Sequence, residues 1–264
     1  MNMSLFLHYA RLRMKERMEY RAAFILGVFA QIVGYGATYF VLWLTLQKFE
    51  TIGGWNWPEI ALLYSLNVLT YAIGAAYTYT PMTELEQLVQ KGTFDPVLIR
   101  PNNPFMTLTA QMFNVGYLAH ILLSGGILVW SLSRLDADWT FGKAAFLMIS
   151  VLSGACMHAA LLTLIGSASL VIVRAEVLFR FNYSLQEFIS YPVSIFGPAI
   201  QILLTTIVPL AFINFLPLAL ILNKDTGIIP REIAWLTPIV GPVLMWLAYR
   251  TFQVCTNRYQ GAGG

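Results

Sequence analysis

The chain has 264 residues, of which 58% are hydrophobic and only 11% charged, with a net charge of +3. Soluble domains carry about 45–50% apolar and about 25% charged residues, so the composition excludes an ordinary soluble domain. The small net charge calls for no nucleic-acid partner.

Residues 1–21 form a basic leader. Leu5, Phe6, Tyr9 and Leu12 fall on one helical face, among Arg11, Arg13, Lys15, Arg17 and Arg21. This predicts an interfacial helix lying on membrane lipid; the alternative is a charged flank that orients the first span. The first hydrophobic run, Arg21 to Gln47, is far longer than the roughly 7–15 residues of a signal-peptide core. It is expected to be a retained span.

Hydrophobic stretches lie at 22–47, 58–80, 106–133, 144–173, 193–222 and 233–254. Each exceeds the roughly 18 apolar residues that cross a bilayer as a helix. In hydrocarbon only helices or closed barrels satisfy the backbone polar groups. The predicted fold class is therefore an all-α integral membrane protein with six transmembrane helices, a single transmembrane domain over 1–264. The middles of these spans hold no Asp or Glu. Proton-driven transporters carry intramembrane carboxylates, so transport by this chain would draw its energy from outside it.

The inner loop after the second span reads Pro81 to Gly92. Thr83 with Glu86 has the form of a capping box, Leu85, Leu88 and Val89 make a short apolar face, and Gly92 is placed to end the helix in a left-handed turn. This predicts a short cytoplasmic amphipathic helix over 82–92, which is marginal alone and needs the membrane domain or a partner to pack on. Pro96, Pro101 and Pro104 then keep the chain extended as a strap into the third span. In the fifth span Pro198, Pro209 and Pro217 remove helix hydrogen bonds. We expect a span to about Pro209 and a broken, re-entrant outer segment over 210–222; the alternative is one kinked helix.

Orientation follows the basic residues. With the N-terminus inside, only Lys48, Arg134, Lys143, Lys224 and Arg231 of the 16 Lys and Arg fall outside, which puts both termini in the cytoplasm. Trp55, Trp57, Trp139 and Trp235 sit at the outer boundary, as interfacial aromatics do.

No phosphate loop, HExxH, GxSxG or CxxC motif occurs. Cys156 and Cys255 are far apart, and His8, His120 and His158 are too scattered for a metal motif. No catalytic residue, metal or cofactor is called for. His120 and His158 lie at mid-span depth and are expected to form interhelical hydrogen bonds. Tyr71, Tyr77, Tyr79, Gln111, Asn114, His120 and Gln201 are polar or aromatic span residues that either line a substrate path, where aromatic faces hold cations, or pack.

Gly92-Thr93-Phe94-Asp95 with Leu98, Arg100-Pro101 and Pro104 resembles the G-[ST]-F-D-x-x-L-x-R-P-x-x-P segment of ABC-2-type permeases, in their DUF990-like branch. Tyr191-Pro192, Gln201, Leu204-Thr205, Pro209 and Ala211-Phe212 resemble that branch's fifth-span pattern. The resemblance implies the permease of an ABC exporter in a prokaryotic inner membrane. It implies two copies of a cytoplasmic ATP-binding subunit and a second permease chain, identical or related. ATPase coupling would fall on Glu84, Leu85, Glu86, Leu88, Val89, Gly92, Phe94, Asp95 and Arg100. Plausible substrates are amphipathic drug-like cations or lipids. The alternatives are a membrane scaffold without transport, and a lipid-processing enzyme, which lacks motifs here.

Overall fold

A computed structural model describes residues 9, 11, 12, 15, 19, 21–135, 138–172 and 175–259. The interfacial helix expected over 1–21 lies almost wholly outside them. The described residues are helical, with an isolated bridge between Ile52 and Trp55 and no strand.

Helix α1 (Arg21–Phe49) carries much of its apolar surface outward, including Ile25, Leu26, Phe29 and Phe40. Helix α2 (Trp57–Gln90) is the axis of the fold and is buried over most of its length. Its start is fixed by a capping box: Asn56 Oδ1 accepts the Glu59 N–H at 3.2 Å, and Glu59 Oε2 accepts the Asn56 N–H at 2.9 Å. After it come α3 (Asp95–Leu98), α4 (Pro104–Gln111), α5 (Tyr117–Arg134), α6 (Phe141–Ala168) and α7 (Glu176–Phe188). Then follow α8 (Pro198–Ile202), a π-helical turn (Leu203–Ile207), α9 (Phe215–Leu222) and α10 (Thr237–Arg258). Short 3-10 turns lie at Val193–Ile195, Leu210–Phe212 and Arg231–Leu236.

Small residues let the backbones of α2 and α6 approach closely, the packing that replaces the hydrophobic effect inside lipid. A Cβ on Gly154 would lie 2.8 Å from Thr70 Cγ2, one on Gly74 2.5 Å from the Ala155 carbonyl, and one on Gly166 2.6 Å from Met82 Cβ. The partners rise together in sequence, so the two helices run parallel. On its other side α6 meets α10. Ser153 Oγ donates to the Thr237 carbonyl and accepts the Gly241 N–H at 3.1 Å, inserting a hydroxyl at the first rung of α10.

The apolar interior has two parts. One gathers the N-terminal part of α2 (Ile60, Leu63, Leu66) with residues 210–221. The other gathers its C-terminal part (Met82, Leu85) with Phe94, Phe105, Leu162, Phe179 and Phe252.

Four helices among the described residues are long and apolar enough to cross a membrane: Phe24–Phe49, Trp57–Gln90, Phe141–Ala168 and Arg231–Arg258. They coincide with the first, second, fourth and sixth predicted spans. The third predicted span is interrupted at 112–116, because Asn114 Oδ1 accepts the Gly116 N–H at 2.9 Å and the Asn114 N–H turns to the Ala76 carbonyl at 2.9 Å. The predicted fifth span, 193–222, is a series of short helical pieces, each far short of a crossing. They collect at the N-terminal end of α2. Phe215 packs on Trp55 with ring centroids 6.0 Å apart, and Asn214 Nδ2 donates to the carbonyls of Leu63 at 3.1 Å and Ile189 at 2.7 Å.

Helix α7 was expected in an inner loop. Its N-terminal end meets Glu86 through the Ala175 N–H, and its C-terminal end meets Leu63 through Asn214. It therefore runs alongside α2, in the opposite direction. The coupling helix predicted over 82–92 is also not a separate element. Helix α2 continues through Pro81 to Gln90. Thr83 does not cap; its hydroxyl donates to the carbonyls of Tyr79 at 2.8 Å and Thr80 at 3.2 Å. Gly92 does take the left-handed turn, at φ 67°. The strap after it is helical at Asp95–Leu98 rather than extended throughout.

Candidate functional site

Four helices each place a polar or aromatic stripe against one groove. On α2, Tyr64, Asn67 and Tyr71 recur at the i, i+3, i+7 spacing of one helical face, and Tyr79 lies two turns further on. From Tyr64 to Tyr79 is about 22 Å of helix at 1.5 Å per residue. Helix α1 adds Gln31 and Tyr35, one turn apart. Helix α5 adds Tyr117 and His120, placed by the Asn114–Gly116 break just before it. Helix α7 adds Tyr183, Gln186 and Glu187 at i, i+3 and i+4, and Ser190 follows in the turn after it.

The groove has two adjoining chambers. The first, of about 260 Å³, lies among Gln31, Tyr79, Asn114, Tyr117 and His120. The second, of about 280 Å³, lies among Tyr64, Asn67, Gln186, Glu187 and Ser190. Tyr35, Tyr71 and Tyr183 line both and form the wall between them. The Tyr71 and Tyr183 hydroxyls meet in that wall at 3.3 Å. Rings pack edge to face around them: Tyr71 on Tyr117 with centroids 5.9 Å apart, Tyr35 on His120 at 4.8 Å, and Tyr79 on Tyr117 at 6.2 Å.

The lining contains no Lys or Arg. Its one carboxylate is Glu187, exposed and without an ion pair among the described residues. Three buried amide atoms on groove residues, Gln31 Oε1, Asn67 Oδ1 and Gln186 Nε2, have no hydrogen-bond partner among the described residues.

Of the path residues proposed from sequence, Tyr71, Tyr79, Asn114 and His120 converge on the groove. Tyr77 lies outside it, with its ring 5.0 Å from Phe113. Gln111 lies at the end of α4, its Nε2 3.5 Å from the Tyr9 hydroxyl. Gln201 is a buried fastener of the 193–230 segment: its Nε2 donates to the carbonyls of Ser194 at 3.3 Å and Phe196 at 2.8 Å, and its Oε1 accepts the Ile228 N–H at 3.0 Å. His158 is fully buried, and neither ring nitrogen has a hydrogen-bond partner among the described residues. The expected interhelical hydrogen bond is replaced by the Tyr71 ring, edge-on at 5.4 Å. The α7 stripe was missed because 174–192 was read as an inner loop. Its helical spacing was visible in the sequence.

At the C-terminal end of α2 the proposed coupling residues divide into two sets. Leu85 and Phe94 are fully buried and Leu88 and Val89 half-buried, all packed on the protein's own second core. Glu84, Gly92, Asp95 and Arg100 are exposed. Glu86 Oε2 accepts the Ala175 N–H at 2.9 Å. Among them projects Ile99, an apolar side chain 85% exposed.

Long apolar helices around a polar groove define a multi-pass membrane protein. The chain belongs to the ABC-2 family: the family model described as ABC-2 family transporter protein matches residues 32–263. That membership makes it a membrane permease component of an ABC transporter, and it implies an ABC ATPase partner. No curated protein and no solved structure matches the chain.

Proposed function

We propose that the chain is the permease of an ABC exporter in a prokaryotic inner membrane, with both termini cytoplasmic. Two copies of an ATP-binding subunit drive it, and a second permease chain, identical or related, completes the path. The chain would cross the membrane six times, α5 making the third crossing and α7 forming part of the fifth. The motifs around Gly92–Pro104 support the DUF990-like branch.

One observation carries this reading. Helix α2 runs unbroken for 34 residues, about 51 Å at 1.5 Å per residue. It carries Tyr64, Tyr71 and Tyr79 of the groove at one level and the exposed Glu84–Lys91 end at another. A push on that end moves the groove wall as one rigid rod. The ATPase would dock on the exposed surface of Glu84, Asp95, Ile99 and Arg100, while Leu85, Leu88 and Phe94 transmit the contact by packing inward.

The test is Ile99→Asp in the permease co-expressed with its ATPase. The exchange should abolish permease-stimulated ATP hydrolysis while leaving the thermal transition of the isolated permease unchanged, since Ile99 packs on little of its own chain. Normal stimulated hydrolysis would remove the docking surface from this segment.

A further inference from the structure

The groove's chemistry also selects what it would hold. Six tyrosines, Tyr35, Tyr64, Tyr71, Tyr79, Tyr117 and Tyr183, line it, with amide side chains between them and no basic residue. Aromatic faces are the negative pole of the ring quadrupole and attract cations, most strongly where water is excluded. An anion would meet those faces and Glu187 with no counter-charge. Each chamber, at about 260 and about 280 Å³, is slightly below the roughly 300 Å³ at which drug-sized pockets begin. Taken together across their shared wall of Tyr35, Tyr71 and Tyr183, they reach that size.

We propose that this groove is a binding site for organic cations. The charged centre sits against the tyrosine faces on the Glu187 side, and the apolar body lies along Tyr71 and Tyr117. The inference rests on the permease reading for its purpose, but the site itself is measurable without transport.

Tetraphenylphosphonium and tetraphenylborate share size and shape and differ in charge. Binding of each to the full chain in zwitterionic nanodiscs, corrected for empty nanodiscs and without ATPase, tests the assignment. The phosphonium should bind and the borate should bind at least tenfold more weakly. Glu187→Gln, at an exposed position, should weaken phosphonium binding several-fold. Tyr71→Leu should weaken it about tenfold, while Tyr71→Phe, which keeps the ring, should stay within about threefold. Equal or tighter borate binding would overturn the cation site, as would unchanged affinity in both Glu187→Gln and Tyr71→Leu. A separate ATP-driven uptake assay in inverted vesicles keeps the two ideas apart. Phosphonium binding without pumping upholds the site and counts against export of such cations. Pumping with no binding to this groove overturns the site and leaves export standing.

Discussion

The Glu86 carboxylate accepts the backbone N–H of Ala175 at 2.9 Å, across a sequence separation of 89 residues. This ties the C-terminal end of α2 to the N-terminal end of α7, the two helices that face each other across the groove. A carboxylate at a helix N-terminus also meets unpaired N–H groups and a favourable dipole. Its second oxygen is held by Gln90 Nε2 at 3.1 Å, so the side chain is oriented before α7 meets it.

Removing that acceptor should loosen α7. Glu86→Ala is expected to cost about 1.5–3 kcal/mol, the range for a hydrogen bond to a charged group. That corresponds to a fall of about 3–12 °C in the transition temperature for a chain near this size. Glu86→Gln keeps an acceptor and should lose less. Thermal unfolding of both variants in one detergent checks the order; equal losses would mean that the Ala175 contact contributes nothing.

The contact of α6 with α10 leaves no room at Gly241. A Cβ there would lie 2.0 Å from the Ser153 carbonyl oxygen and 2.5 Å from its hydroxyl. Both obstacles belong to a residue whose hydroxyl is already engaged with Thr237 and Gly241. Gly241→Ala should therefore force the helices apart at a cost of about 3 kcal/mol, the upper range for overpacking. Gly125→Ala, at a glycine with open space around its Cβ direction, should be neutral or slightly stabilising in its helix. Paired melting curves of these variants read the difference directly.

Lys224 closes the opposite end of the molecule. Its Nζ lies 2.7 Å from Glu59 Oε2 and donates to the Gly54 carbonyl at 2.8 Å, with the Trp55 ring 6.0 Å away. Glu59 also caps α2. Breaking a buried pair costs about 3–5 kcal/mol. Here the lysine keeps 23% of its side-chain surface exposed, so Lys224→Gln should cost about 2 kcal/mol after allowing for solvent screening. Adding Glu59→Gln, which preserves the capping geometry, should recover part of that loss. A double-mutant cycle on transition temperatures measures the coupling, and strict additivity would show that the pair is not coupled.

Features that depend on local chemistry were legible in the amino-acid order. Length and apolarity placed the long helices at 22–47, 58–80, 144–173 and 233–254. Pro198, Pro209 and Pro217 foretold that no single helix fills 193–222, because each proline removes a donor that no neighbour in sequence replaces. Gly92 foretold the left-handed stop of α2, where a side chain would be strained.

Only the tertiary structure decided which distant groups satisfy one another. Thr83 and Glu86 form a legible capping box, yet Thr83 bonds back to Tyr79 and Thr80 and Glu86 reaches Ala175. Helix α2 continues through Pro81 with Met82 and Leu85 buried just beyond it, and burial outweighs one missing hydrogen bond. Helix α7 has few apolar residues, because one face of it lines the groove rather than packing on apolar neighbours. Tyr71, Tyr79, Asn114 and His120 were legible as polar residues in apolar segments. That they meet Tyr35, Tyr183 and Glu187 in one groove follows from the packing of four helices, and no local period in the chain encodes it.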